Sequence, residues 1–320
     1  MTIRVAVLEG GRSLERQVSL RSGARVRDAL ERLGHDVVAI DAGPHLVARL
    51  QESRPDVAFI ALHGRDGEDG TVQELLEVLG IPFTGSAASA CVRASDKALA
   101  KHAMRDAGIP TPEFVTLGET ALQALGAADA LPAIERRLSF PIVVKPARGG
   151  SALGIKFAPD ASSVPAALVA AFSYDRKVLL ERHVQGRELA VSILEDPGAE
   201  PVALPVVEAI PDLGDFYDFE ARYEIGRTRF ECPAALEPGI LARAQALALD
   251  TWRLFGCSGF ARVDMILEGS GELQVLELNP VPGLTETSLL PQAAEAAGIA
   301  FDGLVERALE AARRRRPARV

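Results

Sequence analysis

The sequence predicts an α/β protein that turns to α+β in its C-terminal part, and three observations predict it. Strand and helix signals alternate through roughly the first ninety residues, the pattern of an open sheet. A glycine-rich stretch lies between two strand-like runs near the middle of the chain. Toward the C-terminus, two strands of alternating character carry polar side chains on a shared face. The 320 residues are 48% apolar and 25% charged, an ordinary globular balance. At roughly 100–200 residues per domain, that length holds two or three domains.

Residues 3–8 form a short apolar run ending at Gly10-Gly11. Leu20, Ala24, Val26, Leu30 and Leu33 then fall at helical spacing and stop at Gly34. Residues 37–40, 57–62 and 81–83 repeat the strand signal, with helices over 46–50 and 72–79. This alternation implies parallel crossovers and a sheet that binds ligands at the carboxyl ends of its strands. Segments 10–19 and 63–70 lie there. A helix over 95–107 is closed by Gly108 and followed by Pro110 and Pro112, where a new unit begins. The alanine-rich 120–138 reads as one helix. Strands flank the loop Ala147-Arg148-Gly149-Gly150-Ser151-Ala152-Leu153-Gly154 and resume at 178–181, 189–194 and 202–207. A polar, aromatic loop covers 211–227. A helix over 240–255 precedes strands 260–267 and 272–278, joined by Gly269-Ser270-Gly271. The tail from 289 is helical, and its arginine run at 313–316 suits the negative end of a helix dipole.

Lys and Arg total 35 against 44 Asp and Glu, a net charge of −9, which disfavours non-specific binding to nucleic acid. No stretch approaches the roughly 18 apolar residues of a membrane span, and the N-terminus lacks the pattern of a signal peptide. Cys91, Cys232 and Cys257 make neither a disulfide framework nor a zinc site. A soluble cytoplasmic protein with reduced thiols is expected.

Two segments carry chemistry. The glycines of 147–154 let backbone N–H groups close on phosphate oxygens, and Lys145 precedes them. Neither G-x-x-x-x-G-K-[ST] nor a strand-borne G-x-G-x-x-G occurs, so the loop reads as a hairpin flap over a nucleotide, or simply as a turn. In the C-terminal hairpin, Arg262 and Asp264 share one face, with Ala261, Val263, Met265 and Leu267 opposite. Glu277 and Asn279 share a face of the partner strand, with Leu276 and Leu278 opposite. Asp264, Glu277 and Asn279 are hard oxygen donors suited to magnesium, and Arg262 beside them suits a transferred phosphoryl group. The plain alternative is a solvated strand face with ordinary ion pairs.

In order and spacing, the chain resembles the D-alanine–D-alanine ligases of the ATP-grasp superfamily over essentially its whole length. The matching segments begin with residues 10–19, starting Gly10-Gly11-Arg12-Ser13-Leu14-Glu15, then His63-Gly64-Arg65-Asp66-Gly67-Glu68-Asp69-Gly70 and Thr84-Gly85-Ser86. Asp96-Lys97, Lys145-Pro146 and Gly150-Ser151 follow, with Phe216-Tyr217-Asp218-Phe219-Glu220-Ala221-Arg222-Tyr223 beyond them. Arg262-Val263-Asp264, Glu277-Leu278-Asn279 and Pro282-Gly283-Leu284-Thr285 complete the set.

The resemblance implies an ATP-grasp fold with an N-terminal open α/β domain (1–95), a central lid domain (96–180) and a mainly antiparallel C-terminal domain (181–320) bearing a mobile loop at 211–227. It implies that ATP phosphorylates one D-alanine and that the amine of a second displaces the phosphate, supplying peptidoglycan precursor. Lys97 and Lys145 would hold ATP phosphates, Arg222 would bind ATP as well, and Glu181, Val184 and Glu188 would line the adenosine site. Asp264, Glu277 and Asn279 would hold two magnesium ions, for which manganese substitutes. Arg262 and the Gly283 N–H would stabilise the tetrahedral oxyanion. Glu15, linked to Ser151 and Tyr223, would take the first substrate's ammonium group, and Ser288 and the Leu289 backbone the second substrate's carboxylate. His63 and Glu68 would border that site. A homodimer is implied as well. Read singly, Glu15 is also a helix N-terminal carboxylate, Ser288 a helix N-cap and His63 a structural histidine.

Tyr223 stands at the position that separates dipeptide makers from ligases joining D-alanine to D-lactate, and tyrosine favours the dipeptide. Glu9, Ala152, Arg222 and Pro280 depart from the family pattern. The rival readings are a ligase with another second substrate, such as D-lactate or D-serine, and a silent nucleotide-binding protein.

Overall fold

A computed structural model of the chain describes residues 2–211 and 228–314. Strand β1 (Arg4–Glu9) is the middle of a three-stranded parallel sheet, between β2 (Asp36–Asp41) and β3 (Val57–Ile60). Val5 and Val7 enter one core with Val57 and Phe59; Ala6 and Leu8 enter the other with Ala58 and Ile60. A strand covered on both faces has no solvent side, so it reads as an unbroken apolar run. Residues 81–83 do not form the expected strand. Pro82 has no N–H to give, and the contact shrinks to a single bridge between Ala58 and Phe83.

Helices α1 (Arg16–Arg32), α2 (Leu46–Ser53) and α3 (Thr71–Leu79) surround this sheet. Helix α1 starts a turn before its apolar spacing does, because its first turns bury Ser19 and Ser22 among polar loops. The helix expected over 95–107 is two: α4 (Ala88–Ser95) and α5 (Lys97–Asp106). They part at Asp96, whose backbone is extended and whose carboxylate accepts from the Ala98 and Leu99 N–H groups. The alanine-rich segment also divides, into α6 (Glu119–Ala124) and α7 (Leu131–Leu138). Gly126 at φ +69° stops the first, and a proline opens the second.

The second sheet is antiparallel, in the order β4 (Phe114–Gly118), β7 (Lys177–Arg182), β5 (Ile142–Pro146), β6 (Lys156–Ala158), with α8 (Val164–Phe172) packed on it. The expected boundary between 180 and 181 falls inside β7.

The third sheet runs β11 (Thr228–Glu231), β10 (Val207–Pro211), β8 (Gly186–Leu194), β12 (Phe260–Glu268), β13 (Leu273–Asn279), with β9 (Val202–Ala203) beside β8. Pro205 separates β9 from β10, so the strand expected over 202–207 is split. Helix α9 (Pro238–Phe255) covers one face, placing Ala244, Ala248, Trp252 and Phe255 against Val191, Ala261 and Val263. The helical tail is α10 (Leu289–Ala296) and α11 (Phe301–Arg314). Leu304, Val305, Ala308, Leu309 and Ala312 of α11 share a core with Val5, Val7, Val26, Leu30 and Phe59. The end of the chain therefore closes the N-terminal sheet. Among the described residues, no helix is long and apolar enough to cross a membrane.

Candidate active site

Where the three sheets converge, two cavities of about 910 Å³ and 530 Å³ open side by side. Both are lined by Lys97, Gly149, Gly150 and Glu277. The larger is also lined by Glu15, His63, Glu68, Ser151, Arg262, Asn279, Gly283, Ser288 and Leu289. The smaller holds Lys145, Glu181, Val184 and Glu188. The sequence-predicted residues thus divide between two connected chambers, except three. Asp264 lines neither cavity, and Arg222 and Tyr223, like most of the 211–227 loop, lie outside the described residues.

Glu15 sits just before α1 and is 4% exposed. It makes no cap bond to the helix; it accepts instead from the Ser151 hydroxyl. Two glycines give it room: a Cβ on Gly64 would lie 1.8 Å from one carboxylate oxygen, and one on Gly150 would lie 2.8 Å from the other. Burial pushes the Glu15 carboxyl up to about 7; the negative charge of Glu68 adds to this, and Ser151, His63 and Lys97 oppose it. His63 Nε2 lies 2.8 Å from Ser22 Oγ, which also accepts from the Leu284 N–H at 3.2 Å, and His63 Nδ1 is 3.7 Å from Glu68. The chamber can hold a cation against its two glutamates.

Ser288 occupies the N-cap position of α10 but does not cap it. Its Oγ accepts from the Thr285 N–H at 3.0 Å and lies 2.8 Å from Thr285 Oγ1. A Cβ on Gly283 would come within 2.6 Å of it. The Leu289 side chain is buried in the core, so only its backbone is available to the chamber; N–H groups in a first helical turn have no intrahelical acceptor.

Between the chambers runs the polar hairpin, with Arg262 opposite Asn279 and Asp264 opposite Glu277. Arg262 donates to both oxygens of Asp264, at 2.6 and 2.8 Å. Glu277 lies 3.3 Å from Lys97 Nζ, and Asn279 Oδ1 accepts from the Val281 N–H at 3.1 Å. Lys97 also donates to the Gly149 carbonyl at 2.5 Å, tying α5 to the glycine loop. The register slips between Asp264 and Met265. This bulge puts Leu276 in the wall of the smaller cavity instead of the core face that strand alternation predicted. Val143, Ile210 and Ile266 join it as apolar walls.

The smaller chamber contains an ion cluster. Glu181 is held by Lys145 at 2.8 Å on one oxygen and by Lys101 at 2.5 Å on the other. Burial alone would raise the Glu181 carboxyl, but the two ammonium groups hold it below the usual carboxylate range. Burial also draws Lys101 down to about 8, with Glu181 opposing. Sequence reading missed Lys101. Its one signal is the four-residue step from Lys97, which puts both on one helix face.

The departures from the family pattern sort by place. Glu9 lines neither cavity; it is buried against α1, where a Cβ on Gly23 would lie 2.0 Å from its carboxylate and Arg27 approaches to 3.3 Å. Pro280 lines the larger chamber and Ala152 the smaller. Among the described residues, no three His, Cys, Asp or Glu side chains converge on one metal position.

One antiparallel sheet with a glycine-rich flap, a second with a polar hairpin, and a cleft between them are the ATP-grasp arrangement. The model of the D-ala D-ala ligase C-terminus matches residues 103–310, and that of the N-terminus residues 43–86. The chain is 43% identical to a D-alanine–D-alanine ligase of Moorella thermoacetica, over 97% of this chain and 99% of that protein. The crystal structure of D-alanine–D-alanine ligase from Bacillus anthracis complexed with ATP matches with a TM-score of 0.81 and 31% identity, over 97% of both chains. A D-Ala:D-Ser ligase from Enterococcus faecalis matches with a TM-score of 0.81 and 27% identity, over 98% of this chain and all of that one. The chain belongs to the D-alanine–D-alanine ligase family.

Proposed function

We propose that this protein joins two D-alanines into D-alanyl-D-alanine at the expense of ATP, through an acyl phosphate. The observation that carries this is the pair of connected chambers, an acidic one around Glu15 and a lysine-bearing, apolar-walled one around Lys145, meeting at Lys97, Gly149, Gly150 and Glu277. A carboxylate is a poor electrophile, and phosphorylation supplies its leaving group. A carboxylate oxygen of the first D-alanine attacks the γ-phosphorus and ADP leaves. The amine of the second D-alanine then attacks the carbonyl carbon, a tetrahedral oxyanion forms, and phosphate departs as the amine loses a proton.

We assign the residues the following parts. Glu15 and Glu68 receive the first ammonium group beside His63, and Ser151 orients Glu15. Ser288 and the Leu289 N–H hold the second carboxylate. Arg262 and the Gly283 N–H face the oxyanion. Lys97 and Lys145 grip phosphate oxygens, while Val184, Glu188 and Glu181 border the adenosine. Arg222 and Tyr223 keep the roles that family resemblance assigns them.

Glu277 and Asn279 line the larger chamber with oxygen donors that suit magnesium, while Asp264 gives both its oxygens to Arg262 and would have to exchange that partner to join them in holding the ion. When bound, magnesium would neutralise and orient the phosphates. Family resemblance implies a homodimer, and the sequence pattern favours a cytoplasmic setting.

The test is release of ADP and phosphate on adding D-alanine, with the product identified by mass spectrometry. D-Alanyl-D-alanine as the main product is expected. Faster turnover with D-serine or D-lactate as the second substrate would reassign the specificity, and ATP hydrolysis indifferent to every D-amino acid would refute the reading.

A further inference from the structure

We propose that Lys101 is a positioning residue for ATP binding: it occupies one oxygen of Glu181, so that Lys145 is held in place without being neutralised. This rests on the assignment of the smaller chamber to ATP.

Lys101 is wholly buried, at 0% exposure. Replacing a buried ion pair by apolar side chains is often neutral or stabilising, so stability alone does not explain a lysine there. Its Nζ has three neighbours from separate parts of the chain. Glu181 Oε2 of β7 lies at 2.5 Å, Thr111 Oγ1 accepts its proton at 2.5 Å, and the Phe114 ring of β4 lies 5.9 Å away. Thr111 in turn donates to the Val275 carbonyl of β13 at 2.8 Å. The ammonium group therefore joins α5, the flap sheet and the hairpin sheet at one point.

The charge count gives this joint its consequence. Glu181 and Lys145 alone would form a neutral pair with no net attraction for a polyphosphate. Lys101 makes the cluster a net single positive charge, while Glu181 still fixes Lys145 at 2.8 Å beside the cavity. Lys97, one turn earlier on the same helix, donates to the Gly149 carbonyl of the flap. One rigid helix thus sets both the flap and the cluster behind it.

The experiment measures binding of magnesium–ATP by calorimetry, without D-alanine, to the wild type, Lys101→Met, Glu181→Gln and the double variant Lys101→Met/Glu181→Gln. Lys101→Met keeps the length of the side chain and loses its charge; it should weaken binding on the order of tenfold to a hundredfold, with the KM for D-alanine unchanged. Glu181 itself borders the adenosine, so the double variant is compared with Glu181→Gln alone: with no carboxylate left to occupy, Lys101→Met should cost far less there than in the wild type. A packing role predicts the same cost in both backgrounds.

Wild-type affinity in Lys101→Met, or an equal loss on adding Lys101→Met to the wild type and to Glu181→Gln, would overturn the proposal. Failure of both Lys101→Met variants to fold, read by circular dichroism, would make Lys101 structural and overturn it too. No binding to the wild type would instead refute the assignment of the chamber.

Discussion

Glu15 shows how a single side chain couples stability to function. Its carboxyl is raised to about 7 chiefly by burial, so the folded protein keeps a proton that the unfolded chain has already lost. Stability is therefore unaffected below about 4.5, the ordinary glutamate value, falls as pH rises toward about 7, and stays lowered above it. Glu15→Gln should raise stability at pH 8 by roughly 1–3 kcal/mol while abolishing ligation. Thermal melts at pH 4 and pH 8 check it: the gain should be confined to the higher pH. Residues of this kind were legible because they sit in contiguous motifs. Lys101 was not, because a lysine on an amphipathic helix ordinarily reads as a solvated face, and only its distance to Glu181 shows otherwise.

At the scale of elements, the packing of α1 on β1 depends on an exchange between Glu9 and Gly23. The carboxylate takes the space that a Cβ at position 23 would need, and Arg27, one turn on, lies beside it. Gly23→Ala should therefore destabilise the protein by about 1–3 kcal/mol despite the better helix propensity of alanine. Adding Glu9→Val removes the carboxylate but keeps a Cβ at position 9, 2.6 Å from the added methyl, so it should recover only part of that loss, and urea unfolding of the single and double variants reads the coupling. Glu9 departs from the family pattern; its place under a helix makes it a packing feature. Two element errors share a cause. Apolar spacing ran straight through Asp96 and Gly126, because periodicity records which face is buried and not where the backbone leaves the helix.

For the whole molecule, the surprise is the destination of the last helix. Leu309 of α11 lies in the same core as Val5 and Phe59, which stand 304 and 250 positions before it in sequence. Leu309→Ala should cost about 2–5 kcal/mol, and hydrogen exchange should show β1 and β3 losing protection together with α11. Loss confined to α11 would mean that the helix is only appended. The cleft inherits its geometry from this closure, since α10 carries Ser288 and leads into α11.

By itself the sequence determined the strand–helix alternation of the N-terminal part, the parallel character of the first sheet, the flap and the polar hairpin, because periodicity, turn residues and short motifs are local. Tertiary structure alone decided which chamber each residue lines, that Leu276 turns into a cavity wall at the bulge, that α11 completes the first sheet, and that Lys101 backs Lys145. Those outcomes depend on which distant faces exclude water together, and no window of neighbouring residues contains that information.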